Sequence, residues 1–382
     1  MFGAWKGNTF SDNPKYLYLY VLKFHPHIIP VWVTNNDSVY VQIKTAGGKV
    51  VKKDSFQALP YVFSAEAFFY TFNDSEITDY GNASALKVEL WHGMPLKKIG
   101  YNCEPPQPEK GSHDILIATA EIFRSSLCSA FGVPSDSIYI TGQPRNDCFY
   151  ERGSRKNVLS WMNLDKHNVV ITYLPTFRNN FHSRGQAGAI ITELTRNMRF
   201  KTILEQHNAV CLIKEHYNRL MYSKDHIQID RQDRISIISA ISDIEDIQEL
   251  LCASDILITD YSSCYIDYLL LNRPIIFFCY DLETYKNTDR GFYYDFDEVT
   301  PGPKVRTVDQ LAEELENYLQ NPLRDTERRT QICNLFHQYQ DNKSSERVYQ
   351  LVSNILLERK NKLEGILEFR GNSAHLIHDI LK

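Results

Sequence analysis

The residues best suited to chemistry stand where a buried strand gives way to a helix, in the run ILITDYSSCYIDYLLL at residues 256–271. Ser262 and Ser263 fall at the start of the helical part. A helix start offers unpaired backbone N–H groups and the positive end of the helix dipole, and adjacent hydroxyls add two donors. The pair therefore suits a phosphate or diphosphate, with simple capping of the helix as the alternative.

Basic side chains follow two other strand patterns. His92 lies directly after a strand in VELWHGMPLKKIG, and Lys214 and His216 end a strand in LIKEHYN. Ligands of an open parallel sheet bind outside the carboxyl ends of its strands, so these groups and the serine pair are expected to converge. An imidazole can act there as a base or as a charged donor. For each histidine taken alone, a structural role is the alternative.

Two arginines extend this set. Thr176 and Arg178 follow a strand in YLPTFRNN, and Arg145 lies in TGQPRND. The planar fork of a guanidinium matches phosphate oxygens. A surface ion pair is the alternative for either arginine.

The elements that must position these groups alternate between short apolar runs and longer amphipathic runs, which predicts an α/β fold with parallel sheets. Ser11 or Asp12 can cap the first helix, with Pro14 in its first turn, and Gly132 followed by Pro134 closes a later helix. The strand-like runs are HIIPVWV, ALKVELW, DILIATA, SIYITG, VVITYLP, AVCLIKEH, ISIIS, DILITD and PIIFF. The helix-like runs are NPKYLYLYVLKF, AEIFRSSLCSAFG, AIITELTRNMRFKTILEQH, DIQELLCAS, CYIDYLLLN and VDQLAEELENYLQ.

A polar stretch, YERGSRKNVLSWMNLDKHN at residues 150–168, divides the chain into two α/β domains. We expect a first domain at residues 1–155, a second at 156–350 and a charged helical tail at 351–382. Packing of that tail back on the first domain is one option. A length of 382 residues fits about two domains of ordinary size.

Composition narrows the classes of function. A net charge of −5 gives no global basic field, so charge offers no argument for nucleic-acid binding. The eight cysteines form no CxxC pair, which predicts reduced, buried thiols of a cytosolic protein. No signal peptide and no membrane span are predicted. No His/Cys cluster has metal spacing, and DFD at residues 295–297 is interpreted as a loop or cap.

In this order, the segments WHGMPLKKIG, TGQPRND, LPTFR, ITDYSSCYIDYLLLNRPIIFF, DLETY, RGFYYDF and PGP resemble the CDP-glycerol glycerophosphotransferase family of teichoic-acid primases, polymerases and related capsule polymerases. GNTFSDNPKYLY near the start is also similar to that family. The resemblance runs from about residue 7 to about residue 319. The DYSS and WHG segments together are specific, whereas either one alone is a weak signal.

The resemblance implies a GT-B fold of two Rossmann-like domains facing a cleft, the first holding the acceptor and the second a CDP-linked donor. It implies transfer of glycerol phosphate, or in some members ribitol phosphate, from a CDP-alditol to a hydroxyl of a lipid-linked saccharide or growing polymer, with release of CMP. No cofactor is expected. The enzyme would work in the cytoplasm, at the inner membrane surface.

The resemblance also implies roles for individual residues. His92 would be the base for the attacking hydroxyl. Lys214 and His216 would touch the diphosphate, which Ser262 and Ser263 would grip.

The other matching positions would form the donor pocket, with Asp267 facing the alditol or ribose hydroxyls. The residues that would shape the donor end and complete the pocket are Gly93, Met94, Pro95, Leu96, Arg145, Thr176 and Arg178. The family usually has Thr or Ser at Met94, proline at Tyr217 and tryptophan at Phe177. Because of these departures, the resemblance does not determine which alditol the donor carries or the shape of the pocket.

Two other functions compete with this interpretation. A GT-B sugar transferase using CMP-sialic acid or a UDP-sugar can also combine a histidine motif with a serine pair. A non-catalytic scaffold of a capsule or wall complex would keep the fold, although retention of both histidines and the serine pair argues against it.

Overall fold

The structure is a computed structural model, and it describes residues 1–107, 113–151, 154–161, 163–176, 181–214, 234–238, 246–283, 285 and 291–380. Arg178 and His216, together with Phe177 and Tyr217, lie outside the described residues. The described elements form two parallel β-sheets flanked by helices.

The first sheet is built from the N-terminal part of the chain. Its strands run in the spatial order β2–β1 and β3–β4–β5–β6, and every pairing is parallel. Phe2 joins the two parts, because its backbone bridges Trp32 on one side and Phe69 on the other. The strands are β1 (Val31–Thr34), β2 (Lys49–Lys52), β3 (Ala67–Tyr70), β4 (Leu86–Glu89), β5 (Ile115–Ala118) and β6 (Ile138–Ile140).

Helices cover this sheet with their apolar faces. Helix α1 buries Leu17, Tyr18 and Val21 in the same core as Trp32. The helices are α1 (Asp12–Phe24), α2 (Asp37–Thr45), α3 (Leu59–Ser64) and α4 (Arg124–Phe131). Helix α4 ends at Gly132 in the left-handed conformation (φ 69°), as its sequence predicts.

The second sheet has the order β12–β11–β10–β7–β8–β9 and is parallel throughout. Its inner strands are buried on both faces, which explains their continuous apolar runs. The strands are β7 (Val169–Leu174), β8 (Ala209–Lys214), β9 (Ile235–Ile238), β10 (Ile256–Thr259), β11 (Ile275–Phe278) and β12 (Lys304–Val305).

The helices of the second half connect and cover these strands. The pattern at residues 189–207 predicts one helix, but it divides at Asn197, whose side chain caps the next helix by accepting from the Phe200 N–H. The helices are α5 (Ser154–Trp161), α6 (Phe181–Arg196), α7 (Met198–Gln206), α8 (Ile247–Ala253), α9 (Cys264–Tyr268), α10 (Phe296–Val299), α11 (Val308–Gln320), α12 (Thr326–Phe336) and α13 (Ser344–Ile380).

The last helix returns to the first sheet. Val348 and Val352 of α13 lie in the same core cluster as α1, and Asp147 accepts from the backbone N–H groups of Ser344 and Ser345. Helix α13 therefore begins at Ser344, seven residues before the boundary that the sequence pattern suggests. Among the described helices, none is both long and apolar enough to cross a membrane.

Candidate active site

The loop after β4 carries His92 in an unusual backbone conformation. Trp91 has φ 52° and Gly93 has φ 134°, so both residues occupy the region that favours glycine. The half-buried His92 ring lies against aromatic neighbours, with centroid distances of 5.4 Å to Trp5, 4.6 Å to Phe72 and 4.0 Å to Trp91. The imidazole is thus presented from a turn with a strained backbone.

Asn13 supplies part of that support from the first turn of α1. Its Nδ2 donates to the Leu90 carbonyl (3.0 Å) and the Trp91 carbonyl (2.9 Å), and its Oδ1 accepts from the Arg145 backbone N–H (3.1 Å). Asn13 is fully buried. A single amide therefore ties the loop after β4 to the segment after β6.

The segment after β6 holds the other end of the loop. Arg145 donates from its guanidinium to the His92 carbonyl (2.8 Å). In the amide orientation that satisfies its neighbours, Gln143 accepts from the Gly93 N–H (3.2 Å). Side chains from two separate segments thus fix the backbone on both sides of the imidazole.

Arg145 is also the centre of a buried ion network across the two sheets. Its guanidinium donates to Asp12 (3.0 Å) and to Asp267 (2.5 Å) of α9, and Asn146 and Gln248 donate to the same Asp267 carboxylate at 3.0 and 3.2 Å. Burial alone would lower the pKa of Arg145, but the two carboxylates raise it, so this guanidinium stays charged. Burial raises the pKa of Asp12, which Arg145 opposes.

This geometry differs from the expected roles of Asp267 and Arg145 in the donor pocket. The Asp267 carboxylate is fully buried and both of its oxygens accept hydrogen bonds, so it does not face an open pocket. The Arg145 fork is occupied by two carboxylates and a carbonyl rather than free for phosphate. The physical reason is pairing: a buried charge needs an opposite charge, and these two residues satisfy each other.

The serine pair lies beside the His92 loop. Ser263 is the N-cap residue of α9 but makes no side-chain capping bond, and Ser262 Oγ accepts from the Cys264 N–H only at 3.4 Å. A Cβ on Gly93 would stand 3.2 Å from Ser263 Oγ. The structure therefore brings the two predicted motifs together, and the Ser263 hydroxyl, unlike that of Ser262, makes no capping bond.

The remaining predicted residues lie around this point. Thr176 donates its backbone N–H to the buried Asp260 carboxylate at 2.9 Å, which anchors the end of β7 to the end of β10. Lys214 is buried at the end of β8. The structure does not describe Arg178 and His216, so their predicted roles stay predictions.

The residues predicted to shape the donor end are buried, and Leu96 and the two lysines that follow it pair with the second domain. Lys98 donates its backbone N–H to the Gly291 carbonyl (3.0 Å), and Tyr293 donates its N–H to the Leu96 carbonyl (3.0 Å). Lys97 Nζ lies 3.1 Å from the Tyr285 hydroxyl. The set that is buried here is Gly93, Met94, Pro95 and Leu96.

The residues that the structure describes include no cluster suited to a metal ion. No group of three or more His, Cys, Asp or Glu side chains there is arranged to hold a metal ion. Asp295 of the DFD segment caps α10 by accepting from the Asp297 and Glu298 N–H groups, as interpreted from the sequence. All eight cysteines lie in described segments and are free thiols, seven of them buried.

Two parallel sheets whose strand-end loops meet around a histidine and a serine pair define a GT-B-like enzyme architecture. The family described as CDP-glycerol:poly(glycerophosphate) glycerophosphotransferase matches residues 1–354, and the chain belongs to this family. The predictions of the family and of a GT-B-like α/β fold are thereby confirmed.

Individual relatives agree with this assignment. The chain is 28% identical over 371 residues to the teichoic acid glycerol-phosphate transferase of Staphylococcus aureus, covering 92% of each chain. It is 30% identical over 355 residues to the teichoic acid poly(glycerol phosphate) polymerase of Staphylococcus epidermidis, covering 83% of this chain but 45% of that polymerase. A solved structure of the wall teichoic acid polymerase TagF is 26% identical, covers 94% of this chain and 89% of its own, and has a TM-score of 0.76.

Reasoning from the sequence missed the supporting residues of the site. Asn13 and Gln143 were not singled out, and Asp12 was considered only as a helix cap, although its carboxylate binds Arg145. The available signal was the likeness of the DNPK and GQPRND segments to the family. A polar residue that is buried only by the tertiary fold cannot be told from a cap or turn residue by local pattern.

Proposed function

We propose that this chain transfers glycerol phosphate from CDP-glycerol to a hydroxyl of a lipid-linked saccharide or a growing teichoic-acid-type polymer, releasing CMP. The observation that carries the proposal is the contact between the His92 loop and the serine pair, since a Cβ on Gly93 would reach Ser263 Oγ at 3.2 Å. A base and a set of phosphate donors at one junction are what phosphoryl transfer needs. The names of the relatives support glycerol phosphate as the transferred group.

The proposed reaction is a displacement at the phosphorus that carries glycerol. The acceptor hydroxyl attacks that phosphorus, its proton passes to the His92 imidazole, and the bond from the same phosphorus to the CMP oxygen breaks. Catalysis of this kind is mostly positioning and neutralisation of charge. Ser262 and Ser263 would donate to the diphosphate oxygens, and Lys214 would lie nearby as a cation.

The proposal also gives the two sheets different roles in binding the substrates. The first sheet would present His92 toward the acceptor, and the second would present the serine pair and Lys214 toward the CDP donor. Ser263 stands beyond the carboxyl end of β10 and Lys214 at that of β8, and this edge is where open parallel sheets bind ligands.

A calorimetric titration tests the donor. The purified protein is titrated with CDP-glycerol, CDP-ribitol, CMP-sialic acid and UDP-glucose in the presence of EDTA. We expect tight binding of CDP-glycerol. Binding of CMP-sialic acid or UDP-glucose alone would move the protein to the sugar-transferase alternative, and binding of none would favour the scaffold alternative.

The turnover of a His92 variant tests whether His92 is the base. We expect His92→Ala to abolish transfer, by about 10²-fold or more, while CDP-glycerol affinity changes by no more than a few-fold. Near-wild-type turnover in this variant would make the assignment of the base wrong.

We also propose that the enzyme works in the cytoplasm, on the inner membrane surface that carries its acceptor. Phe24 at the end of α1 is 55% exposed and Ile29 in the loop before β1 is 72% exposed, and Lys23 Nζ lies 4.9 Å from the centre of the Phe24 ring. Exposed aromatic and aliphatic side chains with an adjacent cation suit an anionic lipid surface.

Flotation with vesicles containing phosphatidylglycerol tests the membrane proposal. We expect the double variant Phe24→Ser with Ile29→Ser to float several-fold less than the wild type. Phe56→Ser is the control, because Phe56 is 92% exposed but follows β2 at the opposite end of the sheet. Equal flotation of all three proteins would make this surface wrong.

A further inference from the structure

We infer that Asn13 is a positioning residue that holds His92 in its reactive geometry, an inference that rests on the proposed role of His92 as base. The hydrogen bonds of Asn13 to Leu90, Trp91 and Arg145 run to backbone groups, not to the imidazole ring or the serine hydroxyls. It acts through the backbone of the His92 loop, and the contacts that carry the inference are hydrogen bonds from one buried amide to that loop and to Arg145.

Both the Nδ2 and the Oδ1 atoms of Asn13 form hydrogen bonds that hold the His92 loop and Arg145 in place. Both Nδ2 protons have carbonyl partners, Leu90 at 3.0 Å and Trp91 at 2.9 Å, and the oxygen accepts from the Arg145 N–H at 3.1 Å. Arg145 in turn binds the His92 carbonyl. Asn13 therefore controls three successive carbonyls, two directly and the third through Arg145.

The loop needs this support because its backbone is strained. Trp91 has φ 52°, in a left-handed region that residues with a side chain rarely adopt. Such a conformation persists only where the surroundings enforce it. Without the two carbonyl bonds from Asn13, the loop can relax toward an ordinary conformation and carry the imidazole with it.

The consequence for catalysis is a displacement of the base rather than a loss of the binding site. The serine pair and Lys214 belong to the second sheet, whereas the hydrogen bonds of Asn13 run to Leu90, Trp91 and Arg145 in the first half of the chain, so donor binding is expected to survive. A misplacement of about 1 Å in a reacting group can cost about 10²-fold in rate. Loss of Asn13 should therefore lower kcat and leave the KM for the donor nearly unchanged.

The matched pair of variants is Asn13→Asp and Asn82→Asp. Asn82 is buried in the same domain, donates from Nδ2 to the Val62 and Ala65 carbonyls at 2.7 and 3.4 Å, and accepts from a backbone N–H with Oδ1. Each substitution keeps the oxygen that accepts a hydrogen bond and replaces the donating Nδ2 group by a carboxylate oxygen that faces two backbone carbonyls. Asn82 lies before β4, away from the loop that follows it.

The experiment measures kcat, the KM for CDP-glycerol and the pH profile of kcat, with rates normalised to the fraction of sites that titrate with CDP-glycerol. We expect Asn13→Asp to lower kcat by about 10- to 100-fold and to change the KM for CDP-glycerol by less than about 3-fold. The limb of the pH profile of kcat that is lost in His92→Ala should be shifted along the pH axis in Asn13→Asp. Asn82→Asp should keep kcat within about 2-fold and leave the profile in place. Asn13→Ser, which keeps one donor, should fall between the wild type and Asn13→Asp.

The outcomes separate this inference from the proposed function. If His92→Ala is inactive but Asn13→Asp and Asn13→Ser match Asn82→Asp, the positioning inference is wrong and the proposed base stands. If both Asn13 variants lose donor binding together with turnover, Asn13 is a general structural residue and the inference is also wrong. If His92→Ala keeps its turnover, the proposed base itself fails.

Discussion

Ser262 and Ser263 differ from ordinary serines at the start of a helix because neither hydroxyl makes a short capping hydrogen bond. Ser263 has no side-chain capping bond, and the 3.4 Å bond to Ser262 is at the weak end of the range. We expect the double variant Ser262→Ala with Ser263→Ala to weaken CDP-glycerol binding by about 2–3 kcal/mol, the value of two charge-assisted hydrogen bonds. Calorimetric titration measures the affinity, and scanning calorimetry checks that the melting temperature is nearly unchanged.

A cap of the ordinary kind provides the control for that variant. Thr307 is the N-cap of α11 and accepts from the Gln310 N–H at 3.2 Å. Thr307→Ala should lower stability by about 1 kcal/mol and leave the donor affinity unchanged. An unaltered donor affinity in the double serine variant would mean that the two hydroxyls do not contact the diphosphate.

His113 and Glu89 form a second buried pair behind the His92 loop. His113 Nδ1 lies 2.9 Å from the carboxylate of the fully buried Glu89. Burial lowers the pKa of His113, but the hydrogen bond and the charge of Glu89, with help from Asp114 and Asp74, outweigh burial and raise it. A raised pKa contributes stability that is complete below the unfolded value of about 6.5 and is lost as the pH rises through the folded value.

We therefore expect His113→Gln to lower the free energy of unfolding more at pH 6 than at pH 9. Urea unfolding at the two pH values measures the difference. The exposed His167 offers the control variant His167→Gln, which should change stability by less than about 0.5 kcal/mol at either pH. An equal loss for His113→Gln at both pH values would show that the charge of this pair does not contribute to stability.

At the scale of the element, the turn after β4 depends on a glycine. Gly93 has φ 134°, and an added Cβ would stand 2.8 Å from the Arg145 guanidinium nitrogen. We expect Gly93→Ala to destabilise the protein by about 1–3 kcal/mol and to lower kcat by at least about 10-fold, because the contact with Arg145 moves the loop that carries His92. Unfolding by denaturant and steady-state kinetics measure the two effects.

Gly81 provides a control that distinguishes the effect of backbone strain from the effect of the close contact with Arg145. It also has a positive φ, 71°, but an added Cβ would meet nothing within 4 Å. Gly81→Ala should cost about 1 kcal/mol of stability and leave kcat unchanged. If Gly93→Ala behaved in the same way, the close approach to Arg145 would have no functional importance.

The elements that pattern alone could predict are those with long apolar runs. All nine strand-like runs are strands in the structure, because buried parallel strands need continuous apolar sequence. Strands β2, β3 and β12 were not predicted. The four residues of β2 include two lysines, β12 has two residues, and β3 lies in an aromatic run, AFFY, that pattern alone does not distinguish from a helix segment. The backbone bridge of Phe2 is set by tertiary pairing and leaves no local signal.

For the whole molecule, the sequence could predict the meeting of His92 with the serine pair but not the residues that hold it. Each motif follows the carboxyl end of a parallel strand, but the strands belong to two different sheets, so their convergence follows only once the resemblance implies two domains that face one cleft. The Arg145–Asp267 pair joins residues 122 positions apart, and the sequence does not say which of many charged residues will be buried together. The resemblance implied that Asp267 faces the alditol or ribose hydroxyls of the donor, whereas the fold buries its carboxylate against Arg145.

The two sheets are also joined by Lys15, two residues after Asn13 in α1. Lys15 Nζ lies 3.0 Å from Asp246 and 2.9 Å from Glu249 at the start of α8. Burial lowers the pKa of Lys15, but the two carboxylates outweigh burial and raise it. The first turn of α1 thus fixes the His92 loop and the second sheet with neighbouring side chains, which links the orientation of His92 to the orientation of the second sheet.

We therefore expect Lys15→Met to affect stability and turnover together. The variant leaves the buried Asp246 without its cation, a change that typically costs about 3–5 kcal/mol, and it frees the second domain to shift relative to His92. Lys52→Met is the matched control: its partner Asp37 is 96% exposed, so the loss should be below about 1 kcal/mol. Thermal unfolding measures the stability, and the ratio of kcat for the two variants measures the coupling. A Lys15→Met protein with a lowered melting temperature but unchanged kcat would show that the link between the sheets stabilises the fold without setting the geometry of the reaction.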